Sequence, residues 1–106
     1  MTAGGVERQT FDRAEVHLGG LRAELDRIDP QLIELLGRRF EIARLVAGVK
    51  ATNDIPVMQH DRVRVVKERN ARLGSEAGLD PGFVERLFGL IIDEMCRVED
   101  AIIDGG

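Results

Sequence analysis

Two charged residues stand where the surrounding helical pattern calls for apolar ones. The positions three and four residues away from Arg39 are all apolar, namely Leu35, Leu36, Ile42 and Ala43. The same positions around Glu99 are also all apolar, namely Met95, Cys96, Ile102 and Ile103. A charge on an apolar helix face is very costly unless it is paired, so something anionic should meet Arg39. Cations with one carboxyl group suit anion binding and electrostatic stabilisation better than covalent chemistry.

Two interpretations of these charges stay open at this point. The first is an internal ion pair that fixes the register of the helices. The second is a polar site inside a helical bundle. Five more charged residues have apolar neighbours at three of the same four positions, namely Asp29, Asp61, Arg62, Arg69 and Glu94.

One long helix must carry Arg39. An apolar stripe runs from about Leu21 to about Ala51 and predicts a helix roughly 45 Å long. Within it, Asp29-Pro30 either restarts the helix or kinks it. The stripe needs a partner, and a second copy of the chain can supply one. Residues 1–20 are predicted to be an N-terminal tail, partly disordered, because Gly19-Gly20 should weaken any helix there.

Two shorter helices follow, and the fold class is predicted to be all-α. Helix two should run from about Val57 to about Leu73. Helix three should run from Pro81 to about Ile103, because Asp80-Pro81 is a strong N-cap and first-turn signal. Residues 21–106 then form one helical domain of three helices, of which the first is much the longest.

Composition and the remaining motifs exclude several function classes. A net charge of −4 argues against a nucleic-acid surface, and no apolar run is long enough to span a membrane. The single Cys96 excludes an internal disulfide and fits the cytoplasm. There is no glycine-rich phosphate loop and no metal-ligand spacing of His and Cys. We therefore expect no metal and no cofactor.

An ordered set of short motifs resembles the all-helical chorismate mutases of the AroQ class. No single motif is specific to this family. The order and the spacing of the whole set, which extends from Leu21 to Ile103, are specific. The motifs are Leu21-Arg22, Ile28-Asp29, Leu35-Leu36-x-Arg38-Arg39, Lys50, Pro56-Val57, Asp61-Arg62, Gly78-Leu79-Asp80 and Leu87-Phe88-x-x-Ile91-Ile92.

The resemblance implies an intertwined homodimer in which each active site takes residues from both chains. It also implies the conversion of chorismate to prephenate, a [3,3] sigmatropic shift that needs no metal, cofactor or covalent intermediate. Such an enzyme holds a flexible dianionic substrate in its reactive chair conformation and stabilises the charge that develops on the ether oxygen.

The family's site residues match this sequence at five positions. Arg39 and Lys50 would come from one chain and Arg22 from the other, with the arginines binding the two carboxylates. Lys50 would contact a carboxylate and the ether oxygen. Arg62 matches the arginine of helix two that lines the site. Glu99 lies where many members carry glutamine, facing the ether oxygen.

Three positions depart from the plain chorismate mutase pattern. Val63 replaces a glutamate that binds the ring hydroxyl, Gln59 replaces a common aspartate, and Met95 replaces a common serine. The 4-amino-4-deoxychorismate mutases resemble this chain further, through Pro56-x-Met58-Gln59 and Glu94-x-Cys96-Arg97-x-Glu99-Asp100. The resemblance therefore implies a mutase acting on chorismate or its 4-amino analogue.

Two alternatives stay open. The isochorismate-pyruvate lyases carry valine at the position of Val63 and share the scaffold, so removal of pyruvate from isochorismate is one alternative. The other is a non-catalytic helical dimer that binds a partner enzyme. The set of Arg22, Arg39, Lys50, Arg62 and Glu99 argues against the second, because a partner surface needs no cations on a core face.

Overall fold

Three α-helices make up the described chain. The computed structural model describes the backbone of residues 2–105 and the side chains of residues 13–105. Helix α1 spans Thr2–Thr52, α2 spans His60–Glu76 and α3 spans Pro81–Gly105, with no strand in this part of the chain. The predicted all-α fold with a very long first helix is confirmed.

Helix α1 begins at Thr2, whereas the sequence predicted a start near Leu21. Gly19 and Gly20 each cost a helix about 1 kcal/mol relative to alanine, yet neither prevents helical backbone angles. The helix also continues through Pro30 without a restart. The predicted tail over residues 1–20 lies partly outside the described residues, so its partial disorder stays a prediction.

The chain divides into two compact units, residues 1–38 and residues 39–106. The first unit is a single helical segment with an exposed apolar stripe. Its side chains remain about half exposed, from 45 % at Leu21 to 60 % at Leu32. A lone helix cannot bury such a stripe in itself, so this surface is free to pack against another chain.

The second unit combines the last turns of α1 with α2 and α3, and α2 packs directly against α3. Its buried apolar residues are few and mostly small, namely Ala43, Ala47, Val66, Ala71, Val84 and Ile92. Glu99 is the one charged residue buried with them among the described side chains, at 3 % exposure. The unit therefore surrounds a carboxyl group with a modest core.

The connection between α1 and α2 is longer than the sequence predicted, because α2 begins at His60 and not near Val57. The N–H of Ile55 donates to the carbonyl of Lys50 (2.9 Å), and Asp54 between them has a positive φ of 54°. This turn ends α1 in the manner of a C-terminal cap. Gln59 then has extended backbone angles, so Val57–Gln59 lie outside both helices.

Helix α2 ends in a Schellman motif built on a glycine. The N–H of Leu79 donates to the carbonyl of Gly74 (2.8 Å), and that of Gly78 donates to Ser75 (3.1 Å). Gly78 has a φ of +83°, which glycine adopts without a steric penalty. Asp80 Oδ2 then accepts the N–H of Phe83 (2.9 Å), which confirms the predicted N-cap of α3.

Gly74 is required by the close approach of α2 to α3, which gives a stability prediction. A Cβ atom at position 74 would lie 2.5 Å from Cγ2 of Val84. Overpacking of this kind costs about 1–3 kcal/mol and outweighs the gain of about 1 kcal/mol in helix propensity. Gly74→Ala should therefore lower the free energy of unfolding measured in urea.

Gly89→Ala is the matched control for this prediction. A Cβ atom there meets only the end of the Lys67 side chain, at an ordinary 3.7 Å. This variant should be as stable as the parent or more stable. A Gly74→Ala chain that unfolds at the same urea concentration as Gly89→Ala would contradict the packing described here.

Candidate active site

A cavity of about 770 Å³ opens inside the second unit, between the last turns of α1, the start of α2 and the middle of α3. Such a volume suits a small organic ligand. Seven of the eight residues that the sequence predicted for the site line this cavity, namely Arg39, Lys50, Gln59, Arg62, Val63, Met95 and Glu99.

Lys50 and Glu99 form the most buried polar pair of the cavity. Lys50 Nζ lies 2.9 Å from Glu99 Oε1, and the two side chains are 12 % and 4 % exposed. The direction from Lys50 Nζ to Glu99 Oε1 does not meet the angular requirement for a hydrogen bond. Oε1 is therefore close to a positive charge but accepts no hydrogen bond from the described residues. A buried carboxylate oxygen in this state retains capacity to bind a further partner.

A backbone carbonyl fixes the Lys50 ammonium group from its other side. Lys50 Nζ donates to the carbonyl of Val57 at 2.7 Å. An ammonium group has three N–H donors. One of them is used on Val57 and none is hydrogen-bonded to Glu99 Oε1, so the ammonium group keeps donors for a ligand in the cavity.

Arg39 faces the cavity without a carboxylate partner among residues 13–105, although the sequence led us to expect an anion beside it. Its Nη1 contacts the sulfur of Met95, and its Cζ lies 5.6 Å from the ring centre of Phe88. Both contacts are attractive, but neither cancels the positive charge. The internal ion pair that the described residues do contain joins Lys50 to Glu99, and Arg39 takes no part in it.

Like charges lie near Arg39, and the cavity has a net positive charge because Arg39, Lys50 and Arg62 line it together with two carboxyl groups, those of Asp61 and Glu99. Burial, and then the positive charges of Arg62 and Arg69, lower the pKa of Arg39 from its ordinary value. Arginine nevertheless stays protonated in proteins, so the site holds unneutralised positive charge. An anionic ligand would relieve this repulsion, and a dianion would relieve it more than a monoanion.

Gln59 and Val63 lie one helical turn apart at the start of α2, and both line the cavity as predicted. Gln59 is the N-cap residue, but its side chain makes no capping hydrogen bond. Its amide group is therefore free to donate to or accept from a ligand. Val63 offers only apolar contact at the same edge.

Sequence reasoning missed several features of the site. His60 and Cys96 line the cavity, although the sequence assigned neither of them to the site. Burial, followed by the Glu99 charge, raises the pKa of the Cys96 thiol, which makes it a poor nucleophile. The positions of the Val57 carbonyl and the Phe88 ring depend on the path of the loop and on the packing of α3, which no local pattern in the sequence indicates.

Arg22 is the one predicted site residue outside the second unit. It lies in the first unit and is exposed. The described residues bring together the other seven within the second unit.

Within the described residues, no cluster of three or more His, Cys, Asp or Glu side chains has the arrangement of a metal site. No helix in the same part of the chain is long and apolar enough to cross a membrane.

Three known proteins resemble this chain over most of its length. It is 43% identical over 83 residues to a 4-amino-4-deoxychorismate mutase of Streptomyces venezuelae, covering 78% of this chain and 81% of that protein. It is 36% identical over 89 residues to a 4-amino-4-deoxychorismate mutase of Streptomyces pristinaespiralis, covering 84% and 69%. It is also 36% identical over 75 residues to an isochorismate pyruvate lyase of Pseudomonas aeruginosa, covering 71% and 73%.

A family model confirms the resemblance drawn from the motifs. The model described as chorismate mutase type II matches residues 21–100. This span holds every residue of the cavity discussed above, together with Arg22. With the relatives just named, the match identifies the chain as a member of the chorismate mutase type II family of isomerases, which act on chorismate-type substrates.

Proposed function

We propose that this chain catalyses the [3,3] rearrangement of chorismate to prephenate, or of 4-amino-4-deoxychorismate to the corresponding prephenate analogue. The observation that carries the proposal is the cationic cavity, in which Arg39 has no carboxylate partner and Glu99 has a buried oxygen free of hydrogen bonds, both counted over residues 13–105. The similarity to two 4-amino-4-deoxychorismate mutases favours the amino substrate.

In the proposed mechanism, the protein contributes position and charge but no reacting atom. Arg39 would bind one substrate carboxylate through its planar N–H edge, with Arg62 adding positive charge. Arg22 from the other chain would bind the second carboxylate. When the substrate is held in the chair conformation in this way, its two bond-forming carbons lie in contact with each other.

Lys50 and Glu99 would act on the ether oxygen. As the C–O bond breaks and the C–C bond forms, negative charge builds up on this oxygen. The free N–H of Lys50 can stabilise that charge, and a protonated Glu99 can donate a second hydrogen bond to it. The electron pairs shift within the substrate, so the reaction needs no oxidant, cofactor or covalent intermediate.

The shared site requires a homodimer, and the first unit offers the surface for one. Its stripe of exposed apolar residues consists of Leu21, Leu25, Ile28, Leu32 and Leu35. Burying such a side chain fully is worth about 1.5–3 kcal/mol, so pairing two stripes is a strong driving force.

We also propose a cytoplasmic location, since the single cysteine fits a reducing compartment.

A product assay with three substrates tests the function. Chorismate, 4-amino-4-deoxychorismate and isochorismate are offered separately, and products are identified by mass spectrometry. We expect the prephenate-type product from at least one of the first two substrates. Pyruvate released from isochorismate, with no mutase product, would favour the lyase that Val63 and the Pseudomonas aeruginosa relative suggest. No product from any substrate would favour a non-catalytic dimer.

Complementation between inactive chains tests the shared site. Arg22→Ala and Arg39→Ala should each abolish most activity at a substrate concentration well below the parent KM. After equal amounts are mixed and exchanged, about half of the dimers are mixed, and one of their two sites is intact. The activity should therefore recover to about a quarter of the parent value.

The matched control for complementation uses a chain with Arg27→Ala in place of the chain with Arg22→Ala. Arg27 is another exposed arginine of the same unit. Arg27→Ala alone should remain active. Exchange is verified with chains that carry different affinity tags. Exchange without any recovery would mean that Arg22 and Arg39 do not serve one site from two chains.

The role of Glu99 predicts a difference between two substitutions. Glu99→Gln keeps a side chain that can donate a hydrogen bond to the ether oxygen, whereas Glu99→Ala keeps none. Glu99→Gln should therefore retain much more of the parent kcat/KM than Glu99→Ala, with the folding of both variants checked by thermal unfolding. Asp100→Asn, at an exposed neighbouring position, should leave kcat/KM unchanged. Equal losses of kcat/KM in Glu99→Gln and Glu99→Ala would remove Glu99 from this role.

A further inference from the structure

Phe88 lies behind Arg39 and outside the lining of the cavity. Its ring centre is 5.6 Å from Cζ of Arg39, within the range of a cation–π interaction. Phe88 and Met95 are seven residues apart, two turns along α3, and Arg39 contacts both. The guanidinium group of α1 thus lies along one face of α3.

Arg39 needs such support because its electrostatic surroundings are unfavourable. Arg62 and Arg69 repel it, and no carboxylate among the described residues offsets that repulsion. A long arginine side chain in this setting would otherwise turn toward solvent, where its charge is better hydrated. Phe88 and Met95 attract the group without neutralising it.

The chemistry of the contact leaves Arg39 able to bind a ligand. A carboxylate partner would occupy the N–H donors at the edge of the guanidinium plane. An aromatic ring attracts a cation through the negative face of its π system and requires none of those donors. An arginine held by a ring therefore keeps the N–H donors that the Met95 sulfur does not use, and these can bind a substrate carboxylate.

We propose that Phe88 is a positioning residue, whose ring face holds Arg39 in the orientation that binds a substrate carboxylate. This inference rests on the proposed function. It adds a residue that touches neither the substrate nor the reacting atoms, and that acts only through Arg39. Its contribution is the electron density of the ring face, in addition to the volume that the ring fills.

Fluorinated phenylalanines separate these two contributions. Each added fluorine weakens the negative face of the ring while its shape changes little. Phenylalanines with one, two and three ring fluorines are introduced at position 88 alone, and KM and kcat are measured with the substrate that the parent chain converts best. Because all rings have nearly the same volume, the variants should fold, and this is checked by thermal unfolding.

We expect KM to rise stepwise with the number of fluorines, by roughly fivefold or more over the series, while kcat changes little. This pattern follows because Arg39 would bind a carboxylate equally in the substrate and in the transition state. Phe88→Tyr, which keeps an electron-rich ring, should retain a KM near the parent value. Phe88→Leu should raise it at least as much as the trifluorinated ring does.

Phe83 provides the matched control, because it is an exposed phenylalanine of the same helix. The same fluorinated residues at position 83 should leave KM unchanged. An active parent whose KM stays constant over the fluorine series at position 88 would overturn this inference and leave the proposed function intact. A parent chain that converts none of the three substrates would overturn the proposed function, and this inference with it.

Discussion

The site depends on the buried contact between Lys50 and Glu99. Both groups lie in a poorly hydrated place, and each would lose its polar partner if the other were removed. The contact also ties together three parts of the second unit, because Lys50 ends α1, Glu99 belongs to α3, and the Val57 carbonyl belongs to the connection between α1 and α2. The groups that link these three parts of the unit also line its cavity.

The remaining charges of the cavity are arranged for a ligand and not for the fold. A chain stabilised by its own ion pairs would place carboxylates beside Arg39, whereas the described residues place a thioether and an aromatic ring there. This leaves a cationic cavity with one buried carboxyl group. Such a distribution of charge lowers the free energy of unfolding when no anion is bound. Proteins retain destabilising arrangements of this kind at functional sites.

The sequence was most informative where the signal is local. Arg39 and Glu99 were found because the neighbours of a residue on a helix face lie three and four positions away, and here these neighbours are apolar. The cap at Asp80 was found because its hydrogen-bond partner lies only three residues later. The start of α2 at His60 was missed, since it depends on a loop whose Val57 carbonyl meets Lys50. The partners of Arg39 were missed because they lie on α3, far away in sequence. The motif set indicated the family, but the pairing of Lys50 with Glu99 required the fold.

In the proposed mechanism, Arg39, Lys50 and Glu99 together bind the dianion that undergoes rearrangement. A crystal structure with a stable bicyclic dianion that mimics the transition state would show whether they do. We expect one carboxylate on the N–H edge of Arg39, with the ether oxygen within hydrogen-bond distance of both Lys50 Nζ and Glu99 Oε1. A dianion bound with its ether oxygen away from this pair, or with Arg39 turned to solvent, would rule the mechanism out.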